Sequence, residues 1–296
     1  MNRDTGFLWR VRDRAWLIRE RPLLLGVINV TPDSFSDGGR FFATDQAVAH
    51  AWRLIEQGAD LLDIGGESSR PGAIPVSLDE ERRRVMPVLE RLCGHVPVPI
   101  SVDTYKPQLA REALQCGAAI VNDITGLRDP AMVEVVRQFQ AGAIVMHMQG
   151  TPQTMQENPQ YQDVVAEVKN FLQERLSSLQ AAGIAAENLV IDPGIGFGKR
   201  LEHNLRLLAQ GQELLTLGRP ICLGVSRKGF INRVTGEPGW SEVGVGGTLG
   251  TLLFAWTQRA VHVARVHDVA EVRRAFALFI RLEELHGGRL RHQNQE

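Results

Sequence analysis

One hydrophobic pattern recurs eight times between Leu23 and Val266. An apolar run of strand length stops on a polar residue, a loop containing Gly or Pro follows, and an amphipathic stretch comes next. The apolar runs cover residues 23–30, 59–64, 98–102, 118–121, 143–146, 189–191, 221–225 and 261–266. Continuous branched apolar runs suit strands buried on both faces, as in a parallel sheet. The intervening stretches predict helices over 45–57, 78–92, 107–115, 131–140, 163–182, 202–217, 241–257 and 269–286. Gly58 and Gly117 stand where helix stops are expected. Eight such units are the count of an α/β (β/α)8 TIM barrel. An open doubly wound sheet is the alternative, but it explains neither the count nor the polar strand ends. Ahead of the units, apolar residues alternate at Trp9 and Val11, then Trp16 and Ile18, about Asp13-Arg14. That is a β-hairpin signal, and the hairpin is expected to close the barrel bottom. The domain expectation is therefore one unit over 1–296, with 1–22 as N-terminal hairpin and 287–296 as a flexible tail.

The residues at which the runs stop carry most of the functional information. They are Asn29, Asp63, Asp103, the pair Asn122-Asp123, His147, Asp192, the triplet Ser226-Arg227-Lys228, and Arg265 with His267. Asp and Asn also cap helices, yet in a barrel all eight ends converge on one face, where active sites lie. The first run also releases Thr31, Asp33, Ser34 and Asp37 into a loop that Pro32, Gly38 and Gly39 keep irregular. Such a loop reads as the rim of a site.

Composition narrows the setting. A chain of 296 residues holds one large α/β domain or two small ones, and a net charge of −1 indicates no general nucleic-acid or membrane partner. Three cysteines without paired or zinc-like spacing suit a reduced, cytoplasmic setting. No apolar run approaches the ~18 residues of a membrane span. The charged N-terminus lacks the apolar core of a secretory signal.

The polar ends sort by chemistry. Asp103, Asn122 and Asp192 offer acceptors to a ligand rich in N–H donors. Buried carboxylates need a partner, and Lys228 is the expected one. Arg265 and His267 alternate on one strand and so share a side. With Ser226 and Arg227 they form a corner suited to phosphate. Asn29 and Asp33 supply oxygens for a Mg²⁺ that arrives with substrate. The glycine-rich run at 192–199 lacks P-loop spacing. It reads as a loop approaching a flat ligand, with Phe197 as a wall. The run at 244–250 fails the dinucleotide pattern and reads as close helix packing. His147 is given no catalytic role, and no Ser-His-Asp, Cys-His or zinc arrangement is evident.

With these motifs in place the chain resembles the dihydropteroate synthase family from about residue 24 to about 287. GVINVTPDSFSDGG at 26–39 resembles the family's first loop and GGESSRPG at 65–72 its second. SVDT at 101–104, VND at 121–123, MHMQG at 146–150, DPG at 192–194, SRK at 226–228 and RVHD at 265–268 follow in the family's order. The resemblance implies a Mg²⁺-requiring transferase of folate biosynthesis. It would join 6-hydroxymethyl-7,8-dihydropterin diphosphate to 4-aminobenzoate, giving 7,8-dihydropteroate and pyrophosphate. It implies a pterin site of Asp103, Asn122, Met146, Asp192 and Lys228. It implies a diphosphate site of Asn29, Ser69, Arg70, Arg265 and His267, with Asn29 and Asp33 at the metal. Phe35, Pro71, Phe197 and Gly229 would form the 4-aminobenzoate side, and Asp33, Asp103, Lys228 and Arg265 would carry the chemistry. A homodimer through helices near the end of the barrel sequence and a sulfonamide target are further implications. Three positions depart from the family's usual pattern: Ser69 stands for Thr, Gly229 for Ser, and Val243 for Arg. Two competing expectations share the pterin slot. One is a pterin-dependent methyltransferase, which has no use for Arg265 and His267 as a diphosphate corner. The other is a non-catalytic pterin-binding paralogue, against which Asn29, Asp33 and Arg70 argue.

Overall fold

The computed structural model describes residues 6–31, 39–70, 72–236 and 244–293. An antiparallel hairpin of β1 (Phe7–Val11) and β2 (Arg14–Ile18) comes first. Eight parallel strands follow: β3 (Leu23–Asn29), β4 (Leu61–Gly65), β5 (Ile100–Asp103), β6 (Ile120–Asp123), β7 (Gly142–Met146), β8 (Leu189–Asp192), β9 (Cys222–Leu223) and β10 (Val263–Val266). Their order is β8-β7-β6-β5-β4-β3-β10-β9. A parallel bridge between Ile191 and Ile221 joins the two ends, so the sheet closes and is not an open doubly wound sheet. The helices are α1 (Gly39–Glu56), α2 (Leu78–Leu92), α3 (Pro107–Cys116), α4 (Pro130–Phe139), α5 (Val164–Ala181), α6 (Leu201–Ala209), α7 (Phe230–Thr235), α8 (Val245–Thr257) and α9 (Val269–Gln293). Among the described residues no helix is long and apolar enough to cross a membrane.

Strand alternation sorts the core into two layers. Leu24, Ile28, Leu62, Ile64, Val102, Val121, Val145, Ile191, Ala264 and Val266 pack outward against the helices. Leu25, Leu61, Ile120, Ile144, Val190, Cys222 and Val263 form a separate cluster with Trp9, Val11 and Ile18 of the hairpin. That cluster fills the bottom of the barrel. Trp9 is fully buried there, and its indole N–H donates to the Asn188 carbonyl at 3.2 Å. With the lower lumen packed and sealed, the open end is the one where the strands stop on polar residues.

Some local details differ from the sequence expectation. The hairpin turns on Arg12 and Asp13, because Val11 pairs with Arg14 and Arg12 takes φ 52°. The helix expected over 202–217 ends at Ala209 and gives way to a 3₁₀ turn over Gly211–Leu217. The apolar run at 221–225 contributes two ladder residues, since the chain leaves the sheet for a turn at Arg227, φ 56°. The short helix α7 has no counterpart in the hydrophobic pattern. Finally, α9 runs on to Gln293, past the expected end at 286.

Candidate active site

The floor of the open end is an acid pair bound by one guanidinium. Arg265 of β10 donates from Nε to Asp63 Oδ2 at 2.6 Å and from Nη2 to Asp103 Oδ2 at 2.7 Å. Asn122 of β6 donates to Asp63 Oδ2 at 3.0 Å. Register explains the grouping. Asp103 is level with Gly65 of β4 and Asn122 of β6, while Asp63 sits one pleat deeper and is fully buried. The arrangement corrects the expectation of Lys228 as partner at Asp103, where Arg265 neutralises both Asp63 and Asp103, while Lys228 is the charge that compensates Asp192. One cation between a fully buried carboxylate and a partly exposed one leaves negative charge to spare. Burial, reinforced by Asp63 and opposed by Arg265, pushes the Asp103 carboxyl up to about 7. The two carboxylates in turn hold the Arg265 guanidinium above its ordinary range against the cost of burial.

Lys228 stands on the other side of the slot. Its ammonium donates to the Ile195 carbonyl and lies 4.5 Å from the centroid of the Phe197 ring. Burial lowers its pKa to about 8, with Asp192 pulling the other way. Asp192, at the end of β8, is buried and accepts from the Gly194 N–H at 2.7 Å. Burial raises this carboxyl and the Lys228 charge opposes the rise. Phe197 packs with Tyr105 against Ile124, Met146, Met148 and Met155, an apolar group beside the acid floor. A flat heterocycle with an N–H-rich edge fits between such walls.

The loop that carries Phe197 is held from beneath by a buried lysine. Lys199 Nζ lies 2.9 Å from the Phe197 carbonyl and 2.9 Å from His147 Nδ1. Burial, then the Lys199 charge, drives the His147 imidazole down to about 2, so His147 is neutral and accepts through Nδ1. Gly194 must be glycine here. It has φ 67°, and a Cβ would come within 1.9 Å of the His147 carbonyl oxygen.

The corner between β9 and β10 is built on His267 and Ser226. Ser226 Oγ accepts from the His267 N–H at 3.2 Å and lies 3.1 Å from its Nδ1. Burial, with Arg265 and Arg227, lowers His267 to about 4. Arg70 adds to that effect, and its loop leaves β4 at Gly65, at this same end of the barrel. Arg227 itself forms a two-pronged ion pair with Asp268. Ser69 is half-buried and Arg70 exposed. Asn29 ends β3, level with Gly65. Gly229 is the first residue before α7. The expected site residues Asp33, Phe35 and Pro71, and the departure at Val243, lie outside the described residues.

Two members of this constellation have no role in the sequence pattern alone. Asp63 reads there only as a polar strand end. Its signal is its depth, two residues before the strand stops, where a carboxylate has no route to water. Lys199 follows a glycine-rich run and reads locally as a solvated loop residue. Conversely, Asp123 is turned to the backbone, accepting from Thr125 and Leu127, and so belongs to a loop turn.

Comparison with known proteins agrees with this geometry. Residues 25–267 match the model of the family described as pterin binding enzyme. The dihydropteroate synthase of Escherichia coli (strain K12) is 46% identical over 250 residues, 84% of this chain and 88% of that protein. A Xanthomonas albilineans dihydropteroate synthase solved with 4-aminobenzoic acid superposes with a TM-score of 0.87 at 44% identity, covering 94% of this chain and 99% of that one. The dihydropteroate synthase of the same organism solved with 7,8-dihydropteroate gives a TM-score of 0.83 at 42% identity, over 93% and 98% of the two chains. The chain belongs to the pterin binding enzyme family, among its dihydropteroate synthases.

Proposed function

We propose that the open end of this barrel joins 6-hydroxymethyl-7,8-dihydropterin diphosphate to 4-aminobenzoate, releasing 7,8-dihydropteroate and pyrophosphate. The observation that carries the reading is the polar floor next to the Met146–Phe197 wall, in which Asp63, Asn122 and Asp192 are buried and Asp103 reaches the open end with 16% of its side chain exposed. Carboxylates stripped of water bind a guanidine-like ring edge strongly. Relatives solved with 4-aminobenzoic acid and with 7,8-dihydropteroate support the two ends of the reaction.

In this reading Asp103, Asn122 and Asp192 accept N–H groups of the pterin and Lys228 donates to it, with Met146 lining the slot. Arg265 and His267, with Asn29, receive the diphosphate when it binds; Ser69 and Arg70, on the second loop, reach its outer oxygens and the 4-aminobenzoate only once that loop closes. Phe197, Gly229, Phe35 and Pro71 form the 4-aminobenzoate side. The bond from the pterin methylene to the diphosphate oxygen breaks as Arg265 takes up the developing negative charge. Asp103 and Asp192 stabilise the cationic pterin. The aminobenzoate nitrogen then forms the new bond and releases a proton. An aromatic amine is unprotonated at neutral pH, so no general base is required to make it nucleophilic.

Among the described residues no cluster of three or more His, Cys, Asp or Glu could hold a metal ion. A single carboxamide oxygen, that of Asn29, suits an ion carried by the diphosphate and its waters. Mg²⁺ held there, with Asp33 as second ligand, would supply positive charge to the leaving pyrophosphate.

A homodimer through the last helices belongs to the same proposal. Leu278, Leu282 and Leu285 fall on one stripe of α9 and are 64%, 55% and 50% exposed, with Phe254 of α8 50% exposed. A second copy of the chain would cover them. The three free thiols support a cytoplasmic setting.

The test is product identity. Purified protein given both substrates and Mg²⁺ is expected to form 7,8-dihydropteroate by mass spectrometry. Tight pterin binding with no product would instead identify a non-catalytic paralogue.

A further inference from the structure

The second loop leaves β4 at Gly65 and carries Ser69 and Arg70 toward the mouth. Its root is gripped by groups that the reaction itself does not require. Glu67 is almost fully buried. Its Oε1 accepts from the Tyr105 hydroxyl at 2.7 Å, and its Oε2 forms an ion pair with Lys106. The same ammonium pairs with Glu81 of α2, a carboxylate with 1% exposure. Beside it, the Gly66 carbonyl accepts from Arg84 at 2.9 Å. A Cβ on Gly66 would stand 2.7 Å from Val85, so the loop starts pressed onto α2. On its far side the loop rests on the β7–α5 connection, through Gly72 N–H to the Pro152 carbonyl at 3.2 Å and Gln153 to the Ala73 carbonyl at 3.2 Å. Ser68 to Arg70 therefore span two anchors.

The chemistry of the near anchor argues against packing as its purpose. Burying two carboxylates on one ammonium is a poor source of stability beside an apolar replacement. Its geometry, however, links the two halves of the site. Tyr105 and Lys106 come two and three residues after Asp103, and the Tyr105 ring packs in the methionine group with Phe197. The cluster thus ties the pterin wall to the loop that closes beside it.

We propose that Glu67, Lys106 and Tyr105 are positioning residues that set the second loop for capture of 4-aminobenzoate after the pterin diphosphate has bound. The inference rests on the functional reading above. It predicts a division between the two substrates that a general structural role does not. In Glu67→Gln, KM for 4-aminobenzoate rises about fivefold or more while the affinity for pterin diphosphate by calorimetry stays within about twofold. Amide exchange over residues 66–73 accelerates, and Lys106→Arg, which keeps the charge, retains most of the wild-type KM. Tyr105→Phe keeps both ion pairs and should shift KM and exchange in the same direction by less, which preserves the test should Glu67→Gln fail to fold. Unchanged exchange over 66–73 in folded Glu67→Gln would overturn the clamp, as would equal losses for both substrates. Wild-type protein that makes no dihydropteroate would contradict the functional reading, whereas the exchange measurement tests the clamp without turnover.

Discussion

Asp192 is buried to 5% exposure, with the Gly194 N–H and the Lys228 charge as its compensation. Asp192→Asn keeps the shape and removes the charge. It is expected to weaken pterin diphosphate binding by ~1.5–3 kcal/mol, the cost of a charged hydrogen-bond partner, read by calorimetry. Unchanged affinity would take Asp192 out of the pterin site. A second prediction concerns pH. Lys228 loses its proton near pH 8 and Asp103 gains one near pH 7. The binding form, ammonium with carboxylate, is depleted above the first value and below the second. Affinity for pterin diphosphate should therefore fall on both sides, and Lys228→Arg should abolish the alkaline fall, because a guanidinium stays charged. At this scale the polar strand ends were legible in the sequence, since a carboxylate that closes an apolar run faces either a ligand or a helix N-terminus. Pairing was not legible. Arg265 reaches from β10 across the neighbouring β3 to carboxylates on β4 and β5. No spacing along the chain records a contact made through the lumen, so charge type alone pointed to Lys228.

The barrel closes where its ladder is thinnest, at β9, and His262 secures that seam. Its Nδ1 accepts from the Ile221 N–H at 3.1 Å and its own backbone N–H donates to the Ile221 carbonyl at 2.8 Å. Burial lowers its imidazole to about 3. The unfolded value is about 6.5, so the unfolded chain takes up a proton that the native state excludes. The stabilising contribution is complete above about pH 6.5 and is lost as pH falls toward 3. His262→Leu should cost ~1–3 kcal/mol at pH 7 by urea titration, and the gap to wild type should narrow at pH 5. A gap that is constant with pH would contradict a neutral, hydrogen-bonded His262. Elements were the most legible level of the chain. Helix α2 was expected over 78–92 and is found over Leu78–Leu92, because Ser77 caps it and its apolar period is clear. The segment from 221 to 257 was less legible. Its apolar residues serve a two-residue strand, a left-handed turn and α7 in quick succession, and a hydrophobic run does not announce where it leaves the sheet.

For the whole molecule, the hairpin-sealed bottom and the polar open end divide stability from chemistry, as barrels do. The exposed leucine stripe of α9 predicts a dimer of the 32.8 kDa chain by sedimentation, with Leu282→Glu shifting it to monomer. A wild-type monomer would remove that proposal and leave the barrel untouched. The central claim is that both substrates react in one pocket. It is tested most directly by pyrophosphate release from pterin diphosphate and Mg²⁺, with and without 4-aminobenzoate. The account predicts release that depends on 4-aminobenzoate and matches the dihydropteroate formed, mole for mole. Release at the same rate without 4-aminobenzoate, or none with it, would contradict the account.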